Sequence, residues 1–274
     1  MSTLDTFRAL HASGCFVLPN PWDRGSAVYL HRLGFKALAT TSAGFAFTRG
    51  APDTASAVPR DVMLQHIRDV VEATPLPVNA DFLAGYADEP SEVAGNVTLC
   101  IATGAAGLSI EDGTGRGSAP LYEVPLAIER IRAARTAIDA AGKPVVLTGR
   151  CEAWLVGEDN PLRAALERLP AYAEAGADCL YAPGVEAPDE IAAIVKAVAP
   201  KAVNVLVSAP STGLTLARLA DLGVRRVSVG SALARVAWGA FMRAAERIAA
   251  TGSFEAFADA APFGVLNDLF TRRA

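Results

Sequence analysis

The sequence predicts an α/β fold, a (β/α)8 TIM barrel with extra C-terminal helices. Eight short apolar runs recur along the 274 residues, each closed by polar or glycine residues at its C-terminal end, and helical patterns separate them. Runs of this kind read as strands buried on both faces of a parallel sheet. Eight of them alternating with helices over roughly 230 residues suit a closed barrel. A doubly wound open sheet is the alternative, but no G-x-G-x-x-G or Walker loop follows any of the runs.

In order, the predicted strands are "CFVLPNP" (15–21), "ALATTS" (37–42), "PVNADF" (77–82), "GLSIED" (107–112), "VVLTGR" (145–150), "CLYAPG" (179–184), "VNVLVS" (203–208) and "RRVSVG" (225–230). The N-terminal "MSTLDTFRALHASG" reads as a short amphipathic helix. "DVMLQHIRDVVEAT" and "PLAIERIRAARTAIDAAGKP" repeat apolar residues every three or four positions, and the second ends in a Gly-x-Pro stop. "RAALERLPAYAEAGADC" does the same, with Pro170 expected to kink or break it. "HRLGFKAL", "AEAGADCL" and "ADLGVRRV" each place a helix-ending glycine just before the next strand. After the last strand a long helix, "SALARVAWGAFMRAAERIAATG", leads into an apolar tail at about 253–274. That tail is expected to pack on another helix, of this or a neighbouring subunit. No linker or shift of composition divides the chain, so residues 1–274 read as one barrel domain.

Composition narrows the class. Half of the residues (51%) are hydrophobic, enough for a large core, and the net charge is −4 with no basic run, which disfavours nucleic acid as a partner. No apolar run approaches the ~20 residues of a membrane span, and the N-terminus lacks the basic and apolar regions of a secretory signal. A cytoplasmic protein is expected. The four cysteines, Cys15, Cys100, Cys151 and Cys179, are far apart and form no C-x-x-C pair. They read as buried thiols in a reducing compartment.

In such a barrel the chemistry collects at the C-terminal strand ends. The polar residues there are Asn20, Thr41, Ser42, Asn79, Asp81, Glu111, Asp112, Arg150, Glu152, Asn204 and Ser208. Carboxylates converging on one mouth need a cation or an ion pair. Oxygen ligands suit Mg2+, with Mn2+ as a second candidate, near Asp81 and Glu111. The competing reading is a metal-free ion pair of Arg150 with Glu111 or Asp81. His11, His31 and His66 fall in helices or at helix ends, away from the strand ends, and read as packing or surface residues. Arg150 is suited to clamp an anionic substrate, or to neutralise Glu111 and Glu152. The "TTSAG" turn offers backbone N–H groups for a carboxylate or oxyanion, although a tight turn needing Gly44 would explain it as well. Cys151 alternates away from Arg150 and should face the helices.

With these residues in place, the chain resembles the isocitrate lyase/phosphoenolpyruvate mutase superfamily, and within it the carboxyphosphonoenolpyruvate phosphonomutase-like branch. "FVLPNPWD", "TTSAGFAFTRGAPD", "PVNADFLAGYA", "GLSIEDGTG", "TGRCEAWL" and "RRVSVGSAL" carry the resemblance, in order and at the right strand ends. It implies a (β/α)8 barrel, a homo-oligomer (dimer or tetramer) with its last helical segment exchanged between subunits, and Mg2+-dependent cleavage or formation of C–C or P–C bonds in small 2-oxo acids through an enolate. By position it implies Asp81, Glu111, Asp53 and Asn79 as the metal set. Arg150 becomes the substrate arginine, Glu152 a family acid, and Thr41, Ser42 and Ala43 the turn that receives the substrate. Asn204, one of the polar strand-end residues, is expected as a further substrate contact.

Departures narrow the reaction. Asn79 stands where many members have an acid. The loop "GTGRGSAPLYE" has neither the Lys nor the Cys that isocitrate and methylisocitrate lyases carry, which disfavours both activities. "LYAPG" lacks the mutase's histidine. The expectation is therefore a Mg2+-assisted lyase or decarboxylase acting on a small 2-oxo or 2-hydroxy dicarboxylate. Glu111 and Arg150 would serve catalysis, and Tyr122 or Glu123, on a loop that closes over the site, would act as the acid. The alternatives are a phosphonopyruvate-type mutase or hydrolase, with Arg116 and Arg150 on a phosphoryl group, and a non-catalytic carboxylate binder.

Overall fold

A computed structural model describes residues 2–54, 57–210 and 213–271. A strand stands at each of the eight apolar runs, the seventh starting one residue early: β1 (Phe16–Leu18), β2 (Leu38–Ala39), β3 (Val78–Asp81), β4 (Gly107–Glu111), β5 (Val146–Arg150), β6 (Cys179–Tyr181), β7 (Ala202–Leu206) and β8 (Arg226–Ser228). From β2 to β8 each strand pairs in parallel with the next, and β8 pairs in parallel with β1. The Ala39 amide donates to the Pro19 carbonyl at 3.0 Å, which joins β1 to β2 and closes the ring. The architecture is an eight-stranded parallel α/β barrel.

The helices are α1 (Thr3–Leu10), α2 (Arg24–Arg32), α3 (Ser42–Thr48), α4 (Arg60–Glu72), α5 (Pro90–Ile101), α6 (Val124–Ala140), α7 (Pro161–Glu174), α8 (Pro188–Val198), α9 (Leu216–Asp221), α10 (Ala232–Thr251) and α11 (Phe263–Thr271). Their starts follow the capping rules. Ser2 and Asp23 form capping boxes on α1 and α2, and α5, α6, α7 and α8 open with proline in the first turn. The glycines read as helix ends all take a left-handed backbone: Gly34 at φ +83°, Gly176 at +109° and Gly223 at +89°.

Pro170 neither ends nor breaks its helix, because α7 runs unbroken through it. The helix loses one backbone donor there, and side-chain bonds on either side of the proline hold it: Arg168 and Tyr172 both reach Asp112, at 3.2 and 2.6 Å.

Strand alternation sorts the core. Leu108, Ile110, Leu147, Leu180, Val203, Val205 and Val227 point outward into the helical layer. Inside, the lower end of the barrel is apolar, built from Phe16, Leu18, Ala39, Val146, Cys179 and Ala202, and Phe7 of α1 plugs it from below. The fit is tight: a Cβ on Gly107 would lie 2.6 Å from the Phe7 ring. His11, one turn further along α1, packs edge-on to Phe7 and Phe16. The apolar tail forms a 3-10 turn and α11, and α11 lies against α2 of the same chain, with Phe270 over Gly25. Phe241, Phe254, Phe263 and Phe270 nonetheless stay exposed. No helix among the described residues is long and apolar enough to cross a membrane.

Phe7→Ala should cost about 3–5 kcal/mol of stability through the cavity it leaves under the barrel, read as a lower urea midpoint.

Candidate active site

The C-terminal ends of the strands surround a cavity of about 200 Å3, lined by alternate strand residues that include Asn79, Asp81, Arg150, Tyr181, Asn204 and Arg226. A wider outer basin shares Ser42, Asp53, Arg150 and Leu155 with it and reaches Glu111, Glu152 and Gly113 to Gly115. Arg150 therefore stands between the two.

Its guanidinium is the hub of the site. Nη1 lies 3.3 Å from Asp81 Oδ1 and 3.1 Å from Glu111 Oε2. Nε and Nη2 grip Glu152 side-on, the second bond at 3.2 Å. The Tyr181 ring lies under the guanidinium at 5.3 Å. Both ion pairs weighed from the sequence exist, together with the pair to Glu152.

Three carboxylates share one positive charge here, and all four side chains are at most 18% exposed. Burial raises the Glu111 carboxyl well above the usual range, and the charges of Glu152, Asp81 and Asp112 add to it against the pull of Arg150. Burial raises Glu152 too, again opposed by Arg150. On the rim, partial desolvation and then the charge on Asp81 raise Asp53, although its outer side is open. The carboxylates in turn hold Arg150 charged despite its burial.

The "TTSAG" segment is a helix start rather than an open turn. Thr41 caps α3, accepting from the Gly44 amide at 3.1 Å. The Ser42 amide and hydroxyl both donate to Asp81 Oδ2 at 2.8 Å, so the Ser42 N–H already has an internal carboxylate. Gly44 is required by close approach, since a Cβ there would lie 2.6 Å from the Thr41 methyl. Ala43 and Asn204 also line the cavity.

Tyr122 and Glu123 are not brought to the cavity. Tyr122 is buried between Arg130, 3.9 Å from its ring, and Arg116, and its hydroxyl donates to Asp88. Its phenol is pushed up to about 12 by burial and then by that hydrogen bond. Glu123 is exposed at the start of α6. Arg116 pairs with Asp88 at 2.8 Å, away from the cavity lining. The loop itself is a small hairpin, bridged at Gly113 and Leu121, whose first residues line the outer basin. Asp112 faces outward and ties the β4 end to Arg168, Tyr172 and the Glu152 amide. Cys151 is buried on the helix side with its thiol pushed up by burial, and all four cysteines are free.

The histidines stay out of the cavity lining. His66 stacks flat on Phe45 of α3 at 3.8 Å, and burial lowers its pKa to about 4. Tyr181, Arg226 and Ser228 escaped the sequence reading. Tyr181 pairs in register with Arg150, and Arg226 with Asn204. Strand alternation carried one pair further inward would have found them.

Among the described residues no three acids gather as a ready cation cage. Mg2+, however, is typically held by one or two carboxylates together with water and substrate. The donors available are all oxygens, the excess charge is negative, and the buried Asn79 Oδ1 has no hydrogen-bond partner. That set fits a hard cation bound through few protein ligands.

A parallel barrel with an acid-ringed arginine at its C-terminal mouth belongs to a recognised class of lyases and mutases. The phosphoenolpyruvate phosphomutase family model matches residues 7–249, and the chain belongs to this family, within the phosphoenolpyruvate mutase/isocitrate lyase superfamily. That superfamily comprises C–C lyases, decarboxylases and phosphoenolpyruvate mutases. The fold is similar to that of a candidate lyase/mutase from Burkholderia cenocepacia J2315, with a TM-score of 0.95, 48% identity and coverage of 98% of this chain and 96% of that one. It is also similar to oxaloacetate acetylhydrolase in complex with oxalate, with a TM-score of 0.87, 26% identity and coverage of 98% and 93%. An uncharacterized Mycobacterium tuberculosis (strain CDC 1551 / Oshkosh) protein is 34% identical over 229 residues, 82% of each chain.

The lowered pKa of His66 fixes a sign. A histidine depressed from 6.5 to about 4 in the fold contributes stability that is present above pH 6.5 and lost as pH falls towards 4. His66→Phe keeps the stack and removes the titration, so its urea midpoint should fall less than the wild type's between pH 6.5 and 4.

Proposed function

We propose that the chain is a lyase or decarboxylase that cleaves a C–C bond of a small 2-oxo or 2-hydroxy dicarboxylate through an enolate, with Mg2+, or Mn2+ in its place, as cofactor. The observation that carries this reading is the mouth itself: one guanidinium and an excess of carboxylates around a cavity too small for a large ligand. The oxaloacetate acetylhydrolase likeness supports a small oxo acid as substrate.

Asp81, with Asn79, Asp53 and Glu111 directly or through water, would hold the cation. When bound, it supplies a Lewis acid for the oxygens of a 2-oxo acid. Arg150 orients the substrate carboxylate. Its bonds to Glu152 and Glu111 fix the plane of the guanidinium, so little rotamer freedom remains to be lost on binding. Thr41, Ser42 and Ala43 shape the rim that meets the substrate. The Tyr181 phenol, raised to about 12 by burial, stays protonated at neutral pH and can donate to an oxyanion in the cavity. The hairpin after β4 borders the outer basin, where its closure over a bound substrate would exclude water. Bond breaking leaves charge on the enolate oxygen, where these donors act more strongly than on the neutral carbonyl.

A mutase or hydrolase acting on a P–C bond is the second reading, favoured by the family model. The pairing of Arg116 with Asp88 removes one of the two arginines it would use. The third reading is a carboxylate binder without turnover. The apolar residues exposed on α10 and α11 suit a homo-oligomer, and the C-terminal segment is the element we expect to be exchanged.

Purified protein with Mg2+ should release pyruvate or a related oxo acid from a panel of 2-oxo and 2-hydroxy dicarboxylates, and Asp81→Ala should lower kcat/KM about 100-fold or more. Phosphonopyruvate turnover alone would favour the mutase reading. Binding across the panel without turnover would favour the binder.

A further inference from the structure

Arg226 is 2% exposed, lines the floor of the cavity, and has no carboxylate within ion-pair distance among the described residues. Its partners are all neutral acceptors. Nε donates to Asn204 Oδ1 at 2.9 Å, Nη2 to Thr148 Oγ1 at 3.1 Å, and Nη1 faces His11 Nε2 at 3.3 Å. His11 Nδ1 lies 2.8 Å from the Phe7 carbonyl, which makes it the donor nitrogen and leaves Nε2 as an acceptor. Burial and then the charge of Arg226 lower that imidazole to about 3, so it stays neutral. A guanidinium has five N–H donors, and three of them are accounted for.

A buried charge is costly unless it is paired. The contrast within this barrel is sharp: Arg150 has three carboxylates, whereas Arg226, on the floor of the same cavity, has none among the described residues. The surrounding orientation is fixed. The Asn204 amide donates to Ser228 Oγ at 2.9 Å while its oxygen accepts from Arg226, so the amide cannot turn away. Ser228 and Tyr181 line the cavity together, with the Tyr181 ring beside Arg150. The partner of Arg226, Thr148, precedes Arg150 by two residues on β5, a rise of roughly 7 Å along the strand. The two guanidinium groups thus lie at different depths of one small cavity.

We infer that Arg226, held by Asn204, Thr148 and His11, forms an anion subsite at the barrel floor that receives the second carboxylate of a three- or four-carbon dicarboxylate. The subsite rests on the reading of this chain as a protein for small dicarboxylates and adds to it a selection rule. An acid anionic at both ends fills both depths of the cavity, and one with an apolar far end leaves Arg226 unpaired. Monocarboxylates of equal length are therefore rejected by the floor rather than by the mouth.

Calorimetric titration without divalent metal, using succinate and butyrate on the intact chain, separates this subsite from turnover. Wild-type protein should bind succinate at least tenfold more tightly than butyrate. Arg226→Gln should lose that preference with butyrate binding unchanged, and Arg226→Lys should recover part of it. Asn204→Asp, nearly isosteric, supplies an internal counter-ion and should abolish the preference while raising the melting temperature. Equal wild-type affinity for the two acids, or a preference retained in folded Arg226→Gln or in Asn204→Asp, overturns the subsite. Failure of every dicarboxylate to turn over would count against the proposed reaction and leave these binding ratios intact.

Discussion

The site depends on one constraint, the sharing of a single buried guanidinium by three carboxylates, two at strand ends and one just beyond the strand that carries the arginine. Asp81 ends β3, Glu111 ends β4, and Arg150 ends β5 with Glu152 two residues on. Losing one partner of such a buried pair costs about 3–5 kcal/mol in comparable cases, because the remaining charge is stranded. The geometry of the mouth is thereby tied to the register of three adjacent strands. The excess of negative charge suits a cation, and Arg150 is the group proposed to meet a substrate carboxylate.

A second layer supports the first from outside the barrel. Asp112, one residue beyond Glu111, turns outward and binds Arg168, Tyr172 and the amide of Glu152. The same bonds clamp α7 across Pro170 and fix the carboxylate that grips Arg150. Adjacent acids in sequence thus divide their work by strand alternation, one facing the cavity and one the helices. Below, α1 seals the barrel with Phe7 and places a neutral His11 under Arg226. The polar interior is therefore graded, from the ionic mouth through Arg226 with its neutral amide and hydroxyl partners to an apolar plug.

Most of the fold was legible because its signals are local. Eight apolar runs, proline at helix starts and glycine at helix ends each follow from backbone chemistry over a few residues, and the strands fall where those runs stand. The mouth residues Asp81, Glu111 and Arg150 were legible because strand ends in a barrel converge. Tyr122 and Glu123 read as loop residues free to swing inward, yet Tyr122 is held by Arg130 and Asp88 from other elements. Likewise, the N–H groups of "TTSAG" looked open because the carboxylate that takes the Ser42 amide lies 39 residues away.

By itself the sequence determined the strands, the helices, the family and the acids and arginine at the mouth, since periodicity, caps and motif order need no partner to be read. Only the tertiary structure decided which charge meets which. Among the described residues it set Arg150 among three carboxylates and Arg226 among none, although both are arginines on inward-facing strand positions. The physical reason is that pairing across a barrel depends on strand register and depth, and those are fixed only when all eight strands close.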